Sequence, residues 1–273
     1  MELSKSNPVI IITGASSGIG EATARLCAKN RFRVILAARR LERLQSLADQ
    51  IRESGGEALI VKTDLTQLPD IQHLVEITLE TYGRIDLLFN NAGFGRLDWL
   101  ENLDPIQDIE AQIHTNLEGL ILMARAVLPH MIQHRSGHII NMVSLAGLVA
   151  TPTYSIYAAT KFAVRGFTDA LRREVGVYGI HVSGIYPGAV KTEFSLHTGP
   201  RRKVDGYTPA WLRLDVEKVA QIVLKVIKQP RRMVIIPWPM IFGVWFVDLF
   251  PSLSDKAMEL LFVKSKRKGQ TNE

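Results

Sequence analysis

Short, unbroken apolar runs alternate along this chain with longer stretches whose apolar positions recur every three or four residues. Val9-Ile10-Ile11-Ile12 leads into Thr13, and comparable runs occupy positions 34–38, 58–61, 86–89, 139–143 and 181–185. Runs of this length and composition predict strands buried on both faces. Between them, Leu41, Leu44, Leu47, Ala48 and Ile51 share one helical face that Gly55 and Gly56 terminate. Helices are expected over 21–30, 41–54, 68–82 and 104–133, with another around Tyr157. Strand and helix in strict alternation predict an α/β protein built on a doubly wound parallel sheet, which binds its ligands at the carboxyl ends of the strands.

Composition changes this picture little. The 273 residues suit one large α/β domain, and 47% hydrophobic with 22% charged residues leaves enough apolar material for a sizeable core. The single cysteine, Cys27, excludes an intramolecular disulfide and a thiolate metal cluster, and is expected to pack as a small hydrophobe. His130 and His134 stand four apart, but no third ligand accompanies them. The net charge of +6 gathers in Arg201-Arg202-Lys203, Arg231-Arg232 and the basic stretch from Lys264 to Lys268. Without interleaved stacking aromatics these clusters read as solvated surface, so nucleic acid is not an expected partner. Residues 1–8 have no basic segment, apolar core or small-residue cleavage site, and the expected location is cytoplasmic.

The candidate chemistry begins where the first strand ends. Gly14, Ser16, Ser17, Gly18, Ile19 and Gly20 form a glycine-rich turn opening a helix, where backbone amides and the helix dipole favour a pyrophosphate. A tight turn without a ligand would look similar, so the next strand matters. An acidic residue at its end would accept a hydrogen bond from an adenosine ribose 2′-hydroxyl. Here Ala38 is followed by Arg39 and Arg40, which suit a 2′-phosphate and make NADP the better fit than NAD. Asp64, after the third strand, can reach an adenine or cap the following helix. Asn90, Asn91, Ala92 and Gly93 follow the fourth strand, where they can brace strand ends and let the backbone approach a ligand.

Tyr157 and Lys161 lie four apart on a predicted helix, so their side chains share a face. A nearby ammonium favours a phenolate, and Lys161 is therefore expected to lower the Tyr157 pKa. Ser144 stands at the carboxyl end of the fifth strand. Asn116 is a polar residue among Ile113, Leu117, Leu120 and Ile121, placed to bond its own helix backbone or to hold a water.

Taken together, these motifs resemble the short-chain dehydrogenase/reductase family from about Val9 to Thr192, and more loosely to Ile236. Thr13, Gly14, Gly18 and Gly20 match its cofactor turn, and Asn90 to Gly93 its Asn-Asn-Ala-Gly motif. Asn116, Ser144, Tyr157 and Lys161 match its catalytic tetrad, while Pro187, Gly188 and Thr192 resemble its nicotinamide-holding loop. The resemblance implies a Rossmann-type sheet of about seven strands, the last at Met233–Ile236. It also implies an NADP(H)-dependent oxidoreductase that interconverts a carbonyl and an alcohol, with Tyr157 as general acid and base. Lys161 would bond the nicotinamide ribose, Asn116 would support a water relay, and the protein would form homodimers or homotetramers. A non-catalytic dinucleotide sensor on the same fold is the alternative.

Residues 1–236 are thus expected to form the dinucleotide-binding catalytic domain, and 237–273 an apolar extension packed on it, on a second subunit or on a membrane surface. Met233 to Val247 is about fifteen residues without a charge, interrupted by Pro237 and Pro239, and too short to span a bilayer comfortably. Its Trp238, Phe242, Trp245 and Phe246 suit a bilayer interface, with the neighbouring basic residues meeting anionic head groups, or equally a pocket wall and a subunit contact. Either reading favours a lipophilic substrate of steroid, retinoid or long-chain acyl type. The polar, glycine- and proline-broken stretch from Phe194 to Leu214 is expected to be a lid or a plain surface loop.

Overall fold

A computed structural model of the chain describes residues 7–194 and 213–264. Seven strands form one parallel sheet: β1 (Val9–Thr13), β2 (Arg33–Ala38), β3 (Glu57–Lys62), β4 (Leu87–Asn90), β5 (Gly137–Met142), β6 (Ile180–Pro187) and β7 (Met233–Ile236). Their order is β3-β2-β1-β4-β5-β6-β7, so the chain reverses its winding between β1 and β4. The crevice above that reversal is where a doubly wound sheet receives its ligand.

Alternation along β1 shows why the apolar runs had to be strands. Ile10 and Ile12 face one apolar layer, and Val9 and Ile11 the other, all four fully buried. The first layer packs under α1 (Gly18–Lys29), α2 (Leu41–Glu53) and α7 (Val216–Lys228). The second packs under α3 (Leu68–Tyr82), α5 (Gly119–Gln133) and α6 (Ser155–Val175). Cys27 is fully buried in the first layer, and burial pushes its thiol up to about 12, so it behaves as a hydrophobe.

Element boundaries move where side chains compete with the backbone. Asp86, expected to open the fourth strand, precedes β4 and accepts a hydrogen bond from Val9 N at 2.9 Å. The helix expected over 104–133 is continuous but widened, with π turns at Pro105–Glu110 and His114–Glu118 on either side of the single turn α4 (Ala111–Ile113). The expected lid lies outside the described residues except for its ends, among them Leu214, which forms a bridge with Val190. Beyond β7 come α8 (Met240–Leu249), α9 (Pro251–Met258) and a π turn at Glu259–Lys264. Among the described residues no helix is long and apolar enough to cross a membrane.

Candidate active site

The glycine turn is built for close approach. Gly14 and Gly18 hold φ at +65° and +55°, the left-handed region that other residues seldom adopt, and a Cβ on Gly20 would lie 2.3 Å from Gly14 O. The turn is tied to the switch point by Thr13. Its Oγ1 accepts from Asn91 N at 3.0 Å and Ala92 N at 3.1 Å, while Asn91 Nδ2 donates to Thr13 O at 3.1 Å. These bonds explain the Asn-Asn-Ala-Gly stretch: Asn91 fastens β1 to the end of β4, and Asn90, buried within β4, donates to Asn141 Oδ1 on β5 at 3.1 Å.

Above this floor opens a cavity of about 1050 Å³. Gly14, Ser16, Ser17, Gly18 and Ile19 line it at one end with Arg39, Arg40 and Asp64. Asn91, Ala92, Gly93, Ser144, Tyr157, Lys161, Pro187, Gly188 and Thr192 line the rest. Of the motif residues singled out from the sequence, Thr13, Gly20, Asn90 and Asn116 stay off the wall: Gly20 packs beneath Gly14, and Asn116 is wholly buried behind Phe94. Asp64 does not cap α3, whose N-cap is Gln67; it closes a local turn instead, accepting from Thr66 N at 3.0 Å and Thr66 Oγ1 at 2.8 Å. His130 and His134 engage each other locally, and the described residues contain no group of three metal-binding side chains.

Arg40 and Arg39 behave differently. Arg40 donates from Nη2 to Ser17 Oγ at 2.7 Å and from Nε to Ser16 Oγ at 3.1 Å, and pairs with Glu193 at 3.0 Å. Arg39 is exposed at the rim and makes no ion pair among the described residues. Glu193, Arg43 and Phe194 were not singled out from the sequence. Nothing local marks them, since Glu193 lies about 150 positions from the arginines that it meets.

At the far end, α6 places Tyr157 and Lys161 one turn apart, both buried. Tyr157 and Ser144 line the same cavity, and the Ser144 hydroxyl pulls the phenol pKa down against burial. Ser144 holds φ at 140° with ψ at 159°, and its Oγ accepts from Ala146 N at 3.1 Å. Backbone strain of this kind concentrates at functional sites. Lys161 Nζ lies 5.6 Å from the Tyr157 ring centre and donates to Met142 O at 3.0 Å.

The expected lowering of the Tyr157 pKa is not what the surroundings produce. Burial is the largest influence and pushes the phenol up to about 12, with the Ser144 hydrogen bond pulling the other way. Burial also pushes Lys161 down to about 8, which weakens the ammonium without removing it at neutral pH. Tyr157 therefore holds its proton at neutral pH. Of the two roles expected for Asn116, bonding its own helix backbone is not the one observed. Its carboxamide leaves its own helix, Oδ1 accepting from Phe94 N at 2.9 Å and Nδ2 donating to Phe94 O at 2.7 Å.

Comparison with known proteins agrees with this geometry. The family model for short chain dehydrogenase matches residues 8–202. An uncharacterized oxidoreductase of Listeria innocua is 42% identical over 228 residues, covering 82% of this chain and 92% of the relative. A short-chain dehydrogenase from Sphingobium yanoikuyae, solved in complex with NADPH, superposes with a TM-score of 0.78 at 31% identity, covering 91% of this chain and 96% of that one. A short chain dehydrogenase/reductase from Burkholderia phymatum, solved in complex with NAD, gives 0.81 at 26% identity, covering 91% and 95%. With the cavity at the switch point of its sheet, the chain belongs to the short-chain dehydrogenase/reductase family of oxidoreductases.

Proposed function

We propose that the protein is an NADP(H)-dependent oxidoreductase that interconverts a lipophilic carbonyl and its alcohol, with Tyr157 as general acid and base. The observation that carries this reading is the buried Tyr157 phenol, protonated at neutral pH and set with Ser144 on the wall of a large cavity. In carbonyl reduction, Tyr157 donates its proton to the carbonyl oxygen, which Ser144 holds in place through its hydroxyl. Lys161 keeps a polar group beneath the phenol, and Asn116 fixes the Phe94 backbone above α6. In oxidation Tyr157 takes the proton back.

The cradle fits a dinucleotide. Glycines leave no side chain between the turn and a pyrophosphate, and Arg39 faces the end where a 2′-phosphate would sit. When bound, the nicotinamide supplies or accepts the hydride, while Asn91, Gly93, Pro187, Gly188 and Thr192 would line its surroundings.

The substrate class rests on α8. One face, with Met240, Val244 and Val247, lines the cavity together with Leu145 and Val149, so an apolar wall awaits the substrate. Its other face is open and continues into the residues before it: Trp238, just ahead of α8, is 68% and Leu249 72% exposed, and Trp238, Phe242 and Trp245 form an aromatic ladder with ring centres 5.9 and 5.7 Å apart. That face suits peripheral contact with a bilayer interface. The segment beyond residue 236 would then serve as pocket wall and surface anchor together. The same reading makes the protein a cytoplasmic homodimer or homotetramer, as the family resemblance implies.

The test is NADPH consumption with a panel of aldehydes and ketones from acetone to decanal, for the native chain and Tyr157→Phe. Turnover favouring decanal, lost by about 10²-fold or more in the variant with NADPH binding intact, is expected. No turnover with any carbonyl, despite NADPH binding, would leave the sensor reading in its place. Co-sedimentation with anionic liposomes, lost in a Trp245→Ser, Leu249→Ser double variant, tests the membrane contact. Light scattering tests the oligomer.

A further inference from the structure

The arginine cluster at the end of β2 already holds an anion. Arg40 donates from Nε and Nη2 to Ser16 Oγ at 3.1 and 3.0 Å, from Nη2 to Ser17 Oγ at 2.7 Å, and from Nη1 to Glu193 Oε2 at 3.0 Å. Arg43, in the first turn of α2, donates to Glu193 Oε1 at 2.5 Å. Hydrogen bonds from Arg43 and then Arg40 hold the Glu193 carboxyl down to about 2, so it is an anion at any working pH. All three nitrogens of the Arg40 guanidinium are engaged.

Glu193 is also the middle of three residues that run over the cavity. Thr192 precedes it, with its methyl 3.3 Å from where a Cβ would stand on Gly18. Phe194 follows, with its ring centre 5.4 Å from that of Tyr157. The chain therefore passes from the glycine turn, past the arginine cluster, to the catalytic phenol.

A carboxylate and a phosphate monoester take a guanidinium fork in the same way, and two such anions cannot share one pair of arginines without repelling each other. We propose that Glu193 is an internal occupant of the 2′-phosphate site, displaced by the phosphate of NADP(H), and that it sets the margin by which this cofactor is preferred over NAD(H). The proposal rests on the NADP(H) reading above and deepens it. Arg39, exposed and without an ion pair among the described residues, is the guanidinium that receives the phosphate first. NAD(H) carries a hydroxyl at that place and leaves the carboxylate where it is. Displacement by phosphate frees the residue next to Phe194, so the adenosine end of the cofactor is linked to the ring that packs on Tyr157.

The experiment is calorimetric titration of the full chain, Glu193→Gln and Glu193→Asp with NADPH and NADH, and with adenosine 2′,5′-bisphosphate and 5′-AMP. Removing a half-buried carboxylate that competes for the arginines is expected to tighten NADPH and the bisphosphate by about five- to tenfold, and to leave NADH and 5′-AMP within about twofold. Glu193→Asp keeps the charge but is too short to reach both arginines, and should fall between. Equal changes for NADPH and NADH would show a clasp over the shared part of the cofactor and overturn the proposal. So would no change in either. The native ratio of NADPH to NADH affinity reads the cofactor assignment separately: a native protein without preference refutes that assignment, while a gain confined to the phosphorylated ligands in Glu193→Gln still supports displacement.

Discussion

Asn116 and Phe94 hold each other through two hydrogen bonds, Phe94 N to Asn116 Oδ1 at 2.9 Å and Asn116 Nδ2 to Phe94 O at 2.7 Å. The pair joins the loop after β4 to a π turn, and a Cβ on the intervening Gly93 would stand 2.9 Å from Asn116 Oδ1 and 3.7 Å from Lys161 Nζ. A π turn inside a helix often marks a functional position, and here it turns the carboxamide away from its own backbone. Asn116→Ala should leave both Phe94 backbone groups without these partners at a cost of about 1–3 kcal/mol. Thermal melting several degrees below the native protein, together with reduced turnover, is the expected result. An unchanged melting temperature would count against this bridge.

Lys161 is an ammonium buried without a carboxylate partner among the described residues. Burial holds it down to about 8, against 10.5 for the free side chain. Between those values the folded protein binds fewer protons than the unfolded chain, so this group's contribution to stability rises with pH from about 8 to about 10.5. Below pH 8 the folded state carries the full cost of the buried charge. Lys161→Met should therefore melt above the native protein at pH 7, by a margin that shrinks toward pH 10, while turnover falls by about 10²-fold or more. Melting curves at the two pH values decide it.

His138 predicts the acid limb of stability. It is fully buried in β5, with Nε2 2.8 Å from Ser183 Oγ, and burial followed by the charge of His181 pushes its pKa from 6.5 down to about 3. The unfolded chain takes up a proton below pH 6.5 that the folded protein refuses until about pH 3, so stability drains away across that window. His138→Gln should flatten urea-derived stability between pH 6 and pH 4. Unaltered pH dependence in the variant would assign the acid limb to other groups.

Cofactor choice is read at Arg39. Arg39→Asp puts a carboxylate where a 2′-phosphate would sit and an acceptor where a ribose hydroxyl would sit. NADPH affinity should fall by about tenfold or more, and NADH affinity should hold or rise. Fluorescence titration with both cofactors checks this, and parallel losses would show that Arg39 acts on something the two share.

Most of the fold could be read directly from the chain. The buried runs, the helical spacing and the glycine turn are local patterns, each set by the backbone geometry of a few neighbouring residues. They were sufficient to place six strands and the glycine turn near their observed positions, whereas the strand order that sets the switch point came only with the structure. Tyr157 and Lys161 were legible for the same reason, since a helix brings positions four apart onto one face whatever surrounds it.

What the sequence by itself determined, then, was the identity and local posture of the reactive groups; their electrical state and their partners were decided by tertiary structure. Burial of Tyr157 and Lys161 depends on layers drawn from the whole chain, and it reversed the shift that a simple ammonium–phenol pair would suggest. Asn116 reaches 22 positions back to Phe94, and Glu193 about 150 positions back to Arg40 and Arg43. No periodicity announces such contacts, because desolvation and long-range ion pairing come into being only when distant segments are packed together and water is removed from between them.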